Sequence, residues 1–207
     1  MNSLPSQMAN RWECRAESAP RQGKLHWHIL FRDHPQVQAL ASIAQDRLAH
    51  FSGLHFTPRQ WLHVTTLIVG FAEDFTATEI DDMIARARQL LSEIPSIKIV
   101  FGKVLYHPEG IVLGIRPDNA LSPVFEAVRS ATRIATGGDG ITERQPWTPH
   151  VTLAYSTSVQ PASPIIAALG RELPSCQVTI NRINLIVQEG AERLWNWRSI
   201  AEVPFGA

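Results

Sequence analysis

Trp61-Leu62-His63-Val64-Thr65-Thr66-Leu67 and Trp147-Thr148-Pro149-His150-Val151-Thr152-Leu153 both carry His-Val-Thr inside a short, apolar, β-prone run. In a strand, residues two apart project from the same face. Each copy therefore sets an imidazole beside a hydroxyl, with the intervening Val pointing the other way. If the copies lie on two halves of one fold and face each other, two histidines and two hydroxyls surround one small volume. Such a site suits a phosphodiester.

The spacing by itself is weak, because His followed two residues later by Ser or Thr arises by chance about once per few hundred residues. His55-Phe56-Thr57 has the same spacing, but it runs into Pro58-Arg59 with no apolar strand behind it and reads as loop. What distinguishes the other two is context. His63 leads into Val64, Thr65, Thr66, Leu67, Ile68, Val69 and a closing Gly70, and His150 into Val151, Thr152, Leu153, Ala154 and Tyr155; both runs read as buried strands. One strand histidine usually just hydrogen-bonds a neighbour, but nothing about a core requires the same polar pair twice.

Outward from these strands, the pattern predicts a strand over 24–31 and a helix over 35–49, with Pro35 in its first turn and Val37, Leu40, Ala41, Ala44 and Leu48 at helical spacing. The first His-Val-Thr strand is expected over 61–69. Thr76-Ala77-Thr78-Glu79 then has the form of a capping box opening a helix that carries Ile80, Ile84, Ala87, Leu90 and Leu91 inward. Residues 97–106 and 111–115 read as a hairpin around His107-Pro108-Glu109-Gly110, followed by a helix over 121–135 and a flexible Gly137-Gly138-Asp139-Gly140 loop. Gln145-Pro146-Trp147-Thr148-Pro149 is an extended lead-in to the second motif strand. A helix from Ser163-Pro164 to Leu169 and a final hairpin of 177–187 and 193–200 complete the chain. The same order of elements in each half implies internal duplication with pseudo-twofold symmetry.

With 207 residues, 44% of them hydrophobic, the chain has material for one large domain or two intimately packed lobes. Nineteen Lys and Arg balance 19 Asp and Glu to a net charge of zero, with no basic run. That argues against extended duplex binding, which needs many cationic side chains; a small ligand or the end of a short strand fits better. Cys14 and Cys176 lie far apart in unlike contexts, so a disulfide framework is not expected and a reduced, cytoplasmic setting is. No stretch has the length of a signal peptide or a membrane span, and no membrane partner is expected.

The paired motifs, their separation, the first ending in Gly70 and the second opening with Pro149-His150, resemble the two-histidine (2H) phosphoesterase superfamily, within it the 2′-5′ RNA ligase-like and RNA cyclic-phosphodiesterase proteins. The likeness in order and spacing runs over about residues 24–200, and Trp27-His28 in the opening strand resembles a bacterial 2′-5′ RNA ligase-like branch. The resemblance implies an α+β, bilobal fold of pseudo-twofold duplicated antiparallel sheets with outer helices and a central cleft. One such domain is expected over 24–207, monomeric, behind a flexible arm over 1–23. It further implies His63 and His150 as the catalytic pair, His63 as acid and His150 as base in hydrolysis. The expected partner is a small cyclic phosphodiester or an RNA 3′ end, with reverse 2′-5′ ligation allowed. RNA cyclic phosphodiesterases of this type are often basic in the cleft, whereas here only Arg59, Arg144 and Lys103 fall near the expected rim.

The chemistry also follows from residue types. Imidazole, with an ordinary pKa of about 6.5, can accept a proton when neutral and donate one when charged, which divides the work of opening a cyclic phosphodiester between two histidines. Thr65 and Thr152 would hydrogen-bond the phosphate oxygens. Neither a metal nor another cofactor is expected. His28, Tyr155 and Arg59 are weaker candidates for contacting substrate. By strand alternation Tyr155 falls on the face opposite His150, which favours packing. His26 and His28 could join a metal site, but no third ligand is apparent. Trp27 reads as core, Trp195 and Trp197 as core or stacking surfaces, and Arg11, Trp12, Arg15 and Arg21 as a solvated tail. Two other function classes stand beside the phosphodiesterase: a binder of nucleotides or RNA ends with the same fold, which would not need two proton-transfer groups, and a metal-dependent hydrolase, which chelator sensitivity would distinguish.

Overall fold

The computed structural model describes residues 4–13, 19, 22–141 and 147–206. In chain order the strands are β1 (Gln7–Met8), β2 (Gly23–Leu30), β3 (Leu54–Phe56), β4 (His63–Phe71), β5 (Ile97–His107), β6 (Gly110–Arg116), β7 (His150–Ser156), β8 (Gln160–Pro161), β9 (Glu172–Ile180), β10 (Arg182–Glu189) and β11 (Trp197–Pro204). The helices are α1 (Pro35–Leu48), α2 (Ala77–Leu91), α3 (Ser122–Thr136) and α4 (Ala162–Leu169). Two antiparallel sheets, one ordered β11-β10-β2-β4 and the other β3-β7-β6-β5-β9, meet through β4 and β7; β1 and β8 form a small third ladder.

Local chemistry accounts for the helix ends. Thr76 accepts from the Glu79 amide and the Glu79 carboxylate accepts from the Thr76 amide, the reciprocal capping box expected from the sequence. Pro35 opens α1, where a missing N–H costs nothing. Gly137 closes α3 at φ 75°, a left-handed position that disfavours a side chain.

The halves exchange elements. α1, which follows β2, crosses to pack on the five-stranded sheet beside α4, while α3, which follows β6, packs with α2 on the four-stranded sheet. The last hairpin, β10–β11, pairs with β2 rather than with its own half. Between the four-stranded sheet and its helices lie Leu25, Trp27, Ile29, Val64, Leu67 and Leu185, all fully buried or nearly so. Trp27 is core, as expected, and its indole N–H donates to the Thr132 hydroxyl of α3 at 3.3 Å.

Three sequence expectations are corrected. His55-Phe56 belongs to a strand, β3, that pairs with the end of β7; three residues on a sheet edge need no apolar run to be held by main-chain hydrogen bonds. The single strand expected over 177–187 breaks at Asn181, because β9 pairs with β5 in one sheet and β10 with β2 in the other. The N-terminal segment is packed over residues 4–13: β1 pairs with β8, Met8 is buried, and Arg11 is 4% exposed between Glu109 and Glu192. A buried methionine and a doubly paired arginine fix a stretch whose composition suggested a solvated arm. Arg15, Arg21, Arg144 and Cys14 lie outside the described residues.

Candidate functional site

The two His-Val-Thr copies open β4 and β7, strands that lie side by side where the sheets meet. The Trp147 indole N–H ties them by donating to the Thr65 carbonyl at 3.1 Å.

Register explains what faces the cleft. Along β4, Leu30 of β2 opposes His63, His28 opposes Thr65 and His26 opposes Ile68, with an extra residue, Thr66, between. Along β7, Gly114 opposes His150, Val112 opposes Thr152 and Gly110 opposes Tyr155, with Leu153 extra. A bulge directly after each motif threonine therefore switches the alternation. Tyr155 consequently shares the face of His150 and Thr152, which corrects the expectation that it points away from them. Ile68 is its counterpart on β4.

Both histidines are oriented alike. The His63 Nδ1 lies 2.8 Å from the Trp61 carbonyl, and the His150 Nδ1 lies 2.7 Å from the Thr148 carbonyl. A carbonyl only accepts, so Nδ1–H donates in each case and Nε2 is left as the nitrogen that can take up or give a proton. In both copies the bond reaches back two residues, so the same local device is used twice.

A third histidine underlies the first. The His28 ring stacks on His63 at 4.3 Å and 19°, and its Nε2 shares a hydrogen bond with the Thr65 hydroxyl at 3.3 Å. His28 is 3% exposed. Burial first, then the neighbouring His63 and His26, hold its pKa well below the usual imidazole range, so it is neutral near pH 7. Trp197 meets His63 edge-on at 4.9 Å, and Trp195 meets it at 6.4 Å. Trp195 also lies parallel to His55 at 6.2 Å and to Tyr155 at 6.1 Å. It does so from a left-handed backbone position, φ 52°, which costs a non-glycine residue of the order of 1 kcal/mol or more.

His28, His63 and Thr65 thus form one cluster, and His150, Thr152 and Tyr155 line the adjoining strand. Arg59 is not among them in its described contact: its guanidinium donates to Ser42 of α1 at 3.0 Å. Lys103 lies 3.9 Å from the Asp118 carboxylate. Sequence reasoning undervalued Trp195 and Trp197, whose nearness to His63 depends on pairing between remote strands, and His55, which lies against Trp195. The described residues contain no cluster of three His, Cys, Asp or Glu arranged to hold a metal ion. No helix among them is long and apolar enough to cross a membrane.

The sequence model of the 2′-5′ RNA ligase superfamily matches residues 32–192, most of the chain, and the protein belongs to that superfamily. Solved structures share its fold. E. coli LigT complexed with 3′-AMP superposes with a TM-score of 0.68 at 12% identity, covering 90% of this chain and 99% of that one. The Thermus thermophilus protein TT0787 gives 0.66 at 15% identity, covering 88% and 97%. The MHV ns2 PDE domain gives 0.52 at 14%, covering 78% and 99%. A search of curated proteins finds no match.

Proposed function

We propose that the protein is a metal-independent phosphodiesterase that opens 2′,3′-cyclic phosphates or related small cyclic phosphodiesters by two-histidine acid–base catalysis. The observation that carries this reading is the matched pair of Nδ1–carbonyl bonds, which presents the Nε2 of His63 and of His150 as proton-transfer atoms. In hydrolysis His150 takes the proton of the attacking water and His63 gives one to the departing ribose oxygen. Thr65 and Thr152 bind the non-bridging oxygens, where negative charge builds. The water oxygen bonds to phosphorus as the ring P–O bond to one ribose oxygen breaks, and with the two histidines handling both proton transfers this reading calls on no metal. Read backwards, the same steps join a 2′-hydroxyl to a cyclic phosphate, but dilute aqueous conditions favour hydrolysis.

Nucleotide-sized ligands fit what is seen in a fold relative, since E. coli LigT has been crystallised with ATP, 3′-AMP and NADP+. The neutral net charge favours such ligands over long RNA.

The test is hydrolysis of 2′,3′-cyclic nucleotides and cyclic-phosphate-ended oligonucleotides in EDTA. Wild type should turn over, and His63→Ala and His150→Ala should each lose about 10²–10⁴-fold in kcat, the usual worth of a general acid or base. Thr65→Val and Thr152→Val should lose up to about 10²–10³-fold as phosphate-charge donors. Activity that EDTA abolishes, or that survives in both histidine variants, overturns the mechanism. Binding without turnover across the whole panel would instead favour a nucleotide-binding module of the same fold.

A further inference from the structure

The N-terminal segment crosses from one lobe to the other at the end of the cleft where β7 finishes. It is first sewn to the five-stranded side: the Ala9 amide donates to the Pro108 carbonyl at 2.7 Å, and the Arg11 amide to the Ser156 carbonyl at 3.0 Å. From there the Arg11 guanidinium reaches both rims. It pairs with Glu109 in the β5–β6 turn at 3.2 Å and with Glu192 in the β10–β11 loop at 2.9 Å. Glu192 also accepts from the Tyr155 hydroxyl at 2.9 Å, and the guanidinium lies over the Tyr155 ring at 4.2 Å. Trp12 closes the outside, edge-on to Tyr155 at 5.4 Å and to His55 at 6.1 Å. Arg11, Tyr155 and Trp195 are 4%, 6% and 6% exposed, so this end is filled by side chains. The family match begins at residue 32, so the segment lies outside the part of the chain that defines the superfamily.

We propose that the Arg11 clamp seals this end of the cleft and restricts the substrate to a single cyclic nucleotide or an equally small cyclic phosphodiester. The proposal rests on the phosphodiesterase reading above. Half-buried Trp197, 4.9 Å from His63, is the tryptophan nearer that imidazole and offers a face on which a nucleobase can stack, whereas Trp195 and Tyr155 are buried behind the clamp. A nucleotide chain running from His63 toward this end meets the Arg11–Glu192 link and the side chains buried behind it. Arg11 is then a specificity-determining residue that acts by exclusion and does not touch the reacting atoms.

The experiment compares binding of 3′-AMP with binding of a pentanucleotide ending in adenosine 3′-phosphate, by titration calorimetry, for wild type, Arg11→Ala and Glu192→Ala. Thermal melts establish which variants are folded. Wild type should bind 3′-AMP about tenfold or more tightly than the pentamer, a difference of about 1.4 kcal/mol or more. Either variant should close most of that gap by gaining pentamer affinity. The two variants change net charge in opposite directions, so a gain in both reports steric opening and not phosphate attraction. Equal affinities in wild type, or an unchanged gap in a folded variant, overturn the proposal while leaving the phosphodiesterase reading in place. Failure of every form to bind either ligand overturns that reading and the proposal with it.

Discussion

At the scale of single residues, His28 has the clearest measurable consequence. Its imidazole is buried against His63 and held neutral. In the unfolded chain it titrates near the ordinary value of about 6.5. The folded pKa is the lower of the two, so the unfolded state binds more protons between them. The stabilisation from burying neutral His28 is therefore complete above about pH 6.5 and is lost as pH falls toward the folded value, with a slope of at most about 1.4 kcal/mol per pH unit. Thermal melts from pH 7.5 to 5 should show wild type losing stability on acidification. His28→Gln, which cannot titrate, should show a shallower loss; identical slopes would mean that other groups dominate.

The residues of the site were unequally legible. The repeat that nominates His63, Thr65, His150 and Thr152 is visible without a structure, and its two copies open neighbouring strands. Tyr155 could not be placed, because period-two alternation assumes an unbroken ladder and a bulge at Leu153 breaks it. Arg11 and Trp12 looked like a solvated tail because their partners, Glu109, Glu192 and Tyr155, are remote in sequence.

Among the elements, α2 shows local chemistry at its most predictable. Thr76 and Glu79 cap one another as their spacing foretold. Thr76→Ala should lower stability by about 1 kcal/mol, seen as an earlier urea midpoint with unchanged cooperativity. The site lies on other elements, so turnover per folded molecule should not change. The β-elements were legible as strands but not as neighbours. Residues 177–187 read as one strand, yet the chain leaves one sheet and enters the other at Asn181. Hydrophobic pattern says that a face is covered; it does not say which sheet covers it.

Over the whole molecule, charge neutrality is the property with a direct test. A protein that neutralises many phosphates loses about 10³–10⁵ in affinity between 50 and 200 mM salt. With no net charge, this one should lose less than about tenfold for 3′-AMP over that range, as expected when only one or two charges are engaged. A steep slope would reveal a basic track along the cleft and argue for a longer nucleic acid. Pseudo-twofold symmetry was legible from element order, whereas the exchange of helices and of the last hairpin between lobes was not. Each exchange is a choice between two similar apolar faces, and the sequence of either face admits both partners.

That exchange sets an order of events during synthesis. β2 and β4, which carry His28, His63 and Thr65, leave the ribosome early, but the hairpin that completes their sheet is made of residues 182–204. Until those residues emerge, β2 keeps one edge unpaired, exposed to wrong pairing. The five-stranded sheet, closed by β9, can finish first. The first histidine of the chain thus waits for nearly its last residues before the sheet that carries it is complete.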